Sequence, residues 1–181
     1  MLRHAETERE LALLQDLYEK SFPKSEKKPF AFMLQKRQEG FFDLLMMEDP
    51  EGNFCGLAIM LLSGELALLD YLAVEPRCQG SGLGSRALAE LQERYGRDRI
   101  VVEIESTEEK GDVENRRERA RRKEFYLRNG MSAVGFLVDL MGVEMEILTY
   151  GRPLTFPEYY EIYDNVLPEN LKHKIKQILQ R

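Results

Sequence analysis

The 181-residue chain predicts an α+β fold of three layers, α/β/α, around a mixed but mostly antiparallel sheet. Three observations carry this. Apolar segments at 41–48, 54–62 and 66–74 alternate with dense turn formers, as successive hairpin strands do. Helical periodicity precedes them from Thr7 and follows them from Leu83. Two further strand-like segments, 131–140 and 143–150, flank Met141-Gly142. One ordinary domain with a modest appendage fits this length, and it is long enough to bury a core without staples.

Thr7-Glu8-Arg9-Glu10 is a capping box, in which a hydroxyl and a glutamate three residues apart satisfy each other's backbone amides. Leu11, Leu14, Leu17 and Tyr18 then recur at helical spacing, which predicts a first helix over 7–22. A second, short helix is predicted over 29–37, with Pro29 at a tolerated first-turn position and Gly40 just past the end. Asp49-Pro50-Glu51-Gly52-Asn53 turns the hairpin, and Ser63-Gly64 leads into the third strand. From Leu83 the period changes: Leu83, Ala87, Leu88, Leu91 and Tyr95 share one helical face, and Gly96 supplies a left-handed stop. Residues 99–104 form a buried strand, 106–115 an exposed charged loop, and 116–128 a basic helix ended by Asn129-Gly130. Beyond Gly151, Thr155-Phe156-Pro157-Glu158 repeats the capping signature, and Pro168 opens another helical stretch ending near Leu179. Residues 1–150 therefore form the main domain, and 151–181 a C-terminal helical extension packed on it.

Composition excludes several classes. The longest apolar run, 54–62, is far short of the roughly 18 residues a bilayer span needs, and the first residues lack the apolar core of a secretory signal. A cytoplasmic protein is expected. Cys55 and Cys78 lie on different elements without metal-type spacing, and His4 and His173 are the only imidazoles, so neither a metal site nor a disulfide framework is indicated. The net charge of -6 argues against nucleic acid as a partner, although Arg and Lys concentrate in 116–128.

Gly80, Gly82 and Gly84 alternate directly ahead of a helix, where a backbone free to take positive φ presents N–H groups to an anion. A P-loop needs Lys and Ser/Thr after its last glycine, and Ser85-Arg86 does not supply them. A dinucleotide fingerprint is met by Gly82-Leu83-Gly84-Ser85-Arg86-Ala87, with Glu103 or Glu105 about twenty residues on. Yet 75–81 intervene between the strand and the glycines, and the strands before them are hairpins rather than βαβ units. The whole segment Leu72-Ala73-Val74-Glu75-Pro76-Arg77-Cys78-Gln79-Gly80-Ser81-Gly82-Leu83-Gly84-Ser85 resembles the signature of the GNAT superfamily of acyl-CoA N-acyltransferases. Gln79, Gly82 and Gly84 fill its signature positions. Downstream, Phe125-Tyr126-Leu127-Arg128-Asn129-Gly130-Met131 looks like the family's second motif at a helix end.

The resemblance implies a GNAT-type twisted sheet of about six to seven strands flanked by helices, with two neighbouring parallel strands splayed to admit the cofactor. It implies acetyl-CoA as co-substrate, no metal, and an N-acetyltransferase acting by direct attack in a ternary complex. Backbone groups of Leu72, Ala73 and Val74 would bond the pantetheine arm, and Gly80, Ser81, Gly82, Leu83, Gly84 and Ser85 the pyrophosphate, with Gln79 and Tyr126 also among the expected cofactor-binding residues. Tyr126 occupies the position of the general acid, and a phenol stays protonated at neutral pH. Many relatives carry Asn and Ala where Arg119 and Arg122 stand here.

A base is sought in Glu103 and Glu105, which alternate in an apolar strand and so point to one face. Mutual repulsion would raise one of the two toward a useful range. The plain alternative is that Glu105 sits at an exposed strand end while Glu103 pairs with an arginine of the next helix. Asp70 is a third, lower-ranked candidate. The basic helix is mostly a solvated face, some of whose arginines meet a CoA phosphate or those glutamates. Tyr159, Tyr160 and Tyr163 read as packing. A covalent route through Cys78 is disfavoured, with no histidine near it in sequence. The acceptor is a small-molecule amine or a peptide amine, and a homodimer is allowed. A non-catalytic acyl-CoA sensor and a nucleotide-dependent oxidoreductase remain as alternatives.

Overall fold

The computed structural model describes residues 1–24, 26–107 and 113–178. Among them are eight strands and six helices, and the mostly antiparallel sheet is not closed into a barrel. The α+β class and, from the first helix to the last, the order of elements follow the expectation. The chain divides into two compact units, residues 1–62 with 69–96, and residues 63–68 with the chain from Arg97 onward.

In the first unit, strand β1 (Leu2–His4) is followed by helix α1 (Glu8–Ser21). Thr7 caps α1 with the full capping box, and Leu14, Leu17 and Tyr18 form its buried stripe. Helix α2 (Phe30–Gln38) follows Pro29. Strands β2 (Phe42–Glu48) and β3 (Phe54–Ser63) pair antiparallel, and β1 pairs antiparallel with β2 at Leu2↔Met47. In their turn, Asp49 Oδ1 accepts the amides of Glu51 and Asn53 at 3.0 and 2.8 Å. Strand β4 (Leu66–Val74) contributes Leu69 onward to this unit, whose strand order is β1-β2-β3-β4. Helix α3 (Leu83–Tyr95) buries Leu83, Ala87, Leu88, Leu91 and Tyr95, the face that the periodicity marks. Strand β1 is not legible in the sequence because three residues show no period.

Two corrections fall here and at the C-terminus. Cys55 and Cys78, for which no disulfide was indicated, are joined in one, with Cα atoms 5.8 Å apart across a separation of 23 residues. The turn after β4 brings Cys78 back beside the start of β3, a closure that spacing along the chain does not reveal.

In the second unit the order is the start of β4, then β5 (Ile100–Glu105), β7 (Val143–Thr149), β6 (Ser132–Leu140) and β8 (Ile175–Ile178). Strand β7 pairs antiparallel with both β5 and β6, and Met141 (φ 57) and Gly142 (φ 95) turn the β6–β7 hairpin. Helix α4 (Val113–Arg128) begins earlier than expected. Of the expected exposed loop, Ser106 is buried and donates its amide to Glu144 O at 2.8 Å, while 108–112 lie outside the described residues. The tail is not purely helical. After α5 (Phe156–Glu161, capped by Thr155) and the four-residue α6 (Glu169–Lys172), the chain forms β8 on the open edge of β6, Leu140↔Ile175 to Leu137↔Ile178. Ile175 and Ile178 at i and i+3 suit a helix locally, and edge pairing of the backbone overrides that preference. The expected helix end near Leu179 lies outside the described residues.

Candidate functional site

The glycine loop lies in the first unit. Pro76 opens a 3-10 turn over Pro76–Cys78, and Gln79 leaves it extended. Gly80 and Gly82 both adopt φ +78, and a Cβ on either would stand in open space. Side chains brace the loop from within: Gln79 Nε2 donates to Val74 O at 3.1 Å, and Ser81 Oγ to Cys78 O at 2.6 Å. The Arg77 guanidinium reaches Phe54 O, and the Cys55–Cys78 bond ties the same turn to β3. Gly82 is the N-cap of α3 and offers no side-chain cap. The amides of Leu83, Gly84 and Ser85 thus precede the first helical bond, from the Arg86 amide to Gly82 O at 3.0 Å. Leu83 is buried, so it contributes its amide alone.

The C-terminal end of β4 is held by a contact absent from the sequence reading. Gly56 lies against it so closely that a Cβ would be 2.5 Å from Ala73 O. Leu72, Ala73 and Val74 are half-buried, unlike the buried start of the strand. The loop fits an anionic ligand held by backbone groups: open space over glycines, positive φ, and uncapped amides at the positive end of a 13-residue helix. Asp70, the third base candidate, is instead an ion-pair partner, bound by Lys28 Nζ at 2.7 and 2.9 Å with its side chain 5% exposed.

Glu103, Glu105 and Tyr126 lie in the second unit. Val102 and Ile104 of β5 are buried, whereas Glu103 and Glu105 are the half-buried positions, as alternation requires. Their partners separate them. Glu105 Oε2 meets Arg119 Nε at 2.6 Å, and Arg119, itself buried, also donates to Ser106 O. Glu103 Oε1 accepts two phenols, Tyr159 at 2.6 Å and Tyr163 at 2.5 Å. An arginine of α4 thus pairs with Glu105, and the tail tyrosines do more than pack.

Helix α4 turns Arg119, Lys123 and Tyr126 inward, an i, i+4, i+7 stripe made of a charged pair and a phenol. Lys123 Nζ meets Glu146 Oε2 at 2.6 Å, while Glu146 Oε1 takes the Thr107 amide and hydroxyl at 3.1 and 3.0 Å. Burial pushes the Glu146 carboxyl up, but those bonds outweigh it and hold the group below its ordinary value. Arg116, Arg117, Arg121 and Arg122 are exposed. Arg119, standing where many relatives carry Asn, is therefore spent on Glu105.

Tyr126 occupies the last turn of α4. Its carbonyl accepts the Asn129 and Met131 amides at 3.1 and 3.2 Å, and Gly130 takes φ +89 to let the chain reverse. The ring is buried, and the hydroxyl makes no hydrogen bond among the described residues. Burial pushes its pKa up to about 12, against the pull of the Arg122 charge and with a further rise from Tyr150. Tyr150 lies under the Arg97 guanidinium, 5.1 Å from the ring centroid, and its hydroxyl is buried without a partner among the described residues. Nothing in the sequence singled out Tyr150.

Among the described residues no group of three or more His, Cys, Asp or Glu is placed to hold a metal ion, and no helix is long and apolar enough to cross a membrane. The profile of the acetyltransferase (GNAT) family matches residues 11–131. No curated protein matches the chain by sequence. Among solved structures, a GNAT-family protein from Bacteroides thetaiotaomicron is similar at TM-score 0.67 and 20% identity, over 96% of this chain and 94% of that one. An aminoglycoside 6'-N-acetyltransferase complexed with coenzyme A is similar at TM-score 0.64 and 16% identity, over 86% and 99%. The ribosomal-protein-S18-alanine N-acetyltransferase from Escherichia coli follows at 0.60 and 15%, over 86% and 95%. These structures support the fold, and the profile, spanning well over half of the residues with both motifs inside it, assigns the chain to the acetyltransferase (GNAT) family.

Proposed function

We propose that this protein is an N-acetyltransferase that moves an acetyl group from acetyl-CoA to a primary amine by direct attack in a ternary complex. The observation that carries the reading is the Tyr126 phenol: buried, protonated to about pH 12, and without a hydrogen bond among the described residues. Such a group is suited to donate a proton where negative charge develops.

Acetyl-CoA supplies the activated thioester. In this reading, backbone groups of Leu72, Ala73 and Val74 align the pantetheine arm, and the amides from Gly80 to Ser85 hold the pyrophosphate, with Gln79 bracing the turn. Tyr126 Oη gives its proton to the departing thiolate. Glu103 accepts the ammonium proton of the acceptor, directly or through water. Glu105 is set aside as base, because its carboxylate is engaged by the buried Arg119 guanidinium. A carboxylate acting as the base favours a cationic acceptor, a small-molecule or peptide amine.

The test is calorimetry with CoA and acetyl-CoA, followed by thiol release across an amine panel. Binding and amine-dependent release are expected. No binding at millimolar ligand overturns the reading, and binding without release across the panel turns it into an acyl-CoA sensor.

A further inference from the structure

Glu103 is held from a part of the chain that the family profile does not reach. The profile ends at residue 131, whereas both phenols on Glu103 Oε1 come from the segment around α5, 56 and 60 residues beyond Glu103. They converge on one oxygen of one carboxylate. Tyr159 and Tyr163 are each at most 2% exposed, and their rings meet edge-on with centroids 5.9 Å apart. Tyr159 is wedged against Phe136 and Phe156 as well. The segment is itself fastened: Thr155 and Glu158 form a capping box, and Ser63 Oγ donates to Glu161 O at 3.0 Å. The donors therefore sit on a rigid mount, and the acceptor sits on a central strand.

Two buried O–H donors on one carboxylate oxygen do two things. They fix the side-chain rotamer, and they favour the charged form over the protonated one, since a protonated oxygen would lose acceptor capacity. The neighbouring carboxylates have partners of their own. Glu105, two residues along β5, is matched by Arg119 of α4. Opposite Glu103 on β7 stands Ile147, and the adjacent Glu146 is engaged by Lys123. On α5, Glu158 is held by Arg152 and by its own cap.

We propose that Tyr159 and Tyr163 are positioning residues of the acyl-transfer site, holding the Glu103 carboxylate oriented and ionised toward a cationic amine acceptor. The inference rests on the reading of Glu103 as the base. It also gives the C-terminal segment a role in the reaction.

The test compares Tyr159→Phe, Tyr163→Phe and the double variant, which keep the rings and their packing and remove only the hydroxyls. Two readouts are followed: the acid limb of kcat/KM against pH, and carboxyl NMR of Glu103 in protein carrying 13C-labelled glutamate, assigned with Glu103→Gln. Removing each donor is expected to move both the limb and the NMR midpoint upward by about one pH unit, and the double variant further, the size expected for a charge-assisted hydrogen bond. Urea melts report any loss of packing separately. If the midpoint stays where it is in all three variants while Glu103→Gln is inactive, the inference is overturned and the base reading stands. Full turnover in Glu103→Gln overturns the base reading and the inference with it.

Discussion

The loop between β4 and α3 and the face built on β5 are made by opposite means. Inside the loop the bonds run between near neighbours, Gln79 to Val74 and Ser81 to Cys78, five and three residues apart, while Arg77 and the Cys55–Cys78 disulfide anchor it to β3, and it offers a ligand backbone amides. The β5 face offers side chains, and it gathers them from far along the chain: Arg119 onto Glu105 across 14 residues, Tyr163 onto Glu103 across 60. A backbone-built site tolerates changed side chains but not changed φ. A side-chain-built site fails when one functional group is deleted. The proposed division, donor binding in the loop and chemistry on the β5 face, should therefore separate in mutant kinetics.

The largest effect is expected from Tyr126→Phe. kcat should fall about 10²- to 10⁴-fold, while CoA affinity measured by calorimetry stays unchanged. A parallel loss of CoA affinity would break the division. The same variant should be more resistant than wild type to alkaline unfolding. A phenol raised from 10.0 to about 12 adds stability that is complete below pH 10 and lost as pH rises through 12, and phenylalanine has nothing to titrate.

Arg119→Met tests whether the β5 face depends on its ion pair. Leaving Glu105 uncompensated should lower stability in urea by about 3–5 kcal/mol, and the double replacement with Glu105→Met should recover much of it. A loss of a few tenths would mean that α4 is held by other contacts. In the loop half, reducing the Cys55–Cys78 disulfide with a dithiol should cost about 3 kcal/mol of stability, by the entropy of a loop of this length. The check is the urea midpoint with and without reductant, alongside Cys78→Ala.

The smallest effect sharpens the contrast most. Gly82→Ala meets no atom within 4 Å, so its cost is conformational, about 1–2 kcal/mol for a left-handed residue with a Cβ. KM for acetyl-CoA should rise about tenfold with kcat unchanged. A fall in kcat instead would show that the loop takes part in the chemistry.

Legibility in the sequence followed the same division. The capping boxes at Thr7 and Thr155, the buried stripe of α3 and the glycine loop with positive φ at Gly80 and Gly82 all depend on neighbours within a turn or two, and residue type and spacing report such neighbours. Glu103, Glu105 and Tyr126 were legible as candidates. Their partners were not: Arg119 takes Glu105, two tail tyrosines take Glu103, and Tyr150 lies buried near Tyr126.

By itself, then, the sequence determined the α+β class, the order of nearly every element and the loop that marks the family, because local periodicity and backbone freedom are written in adjacent residues. Only the tertiary structure decided that Arg119 pairs with Glu105, that Cys55 and Cys78 are bonded, that Gly56 must be bare against Ala73, and that Ile175–Ile178 forms a strand. Each of those depends on which distant surface the chain meets, and one segment's side-chain pattern does not contain its partner.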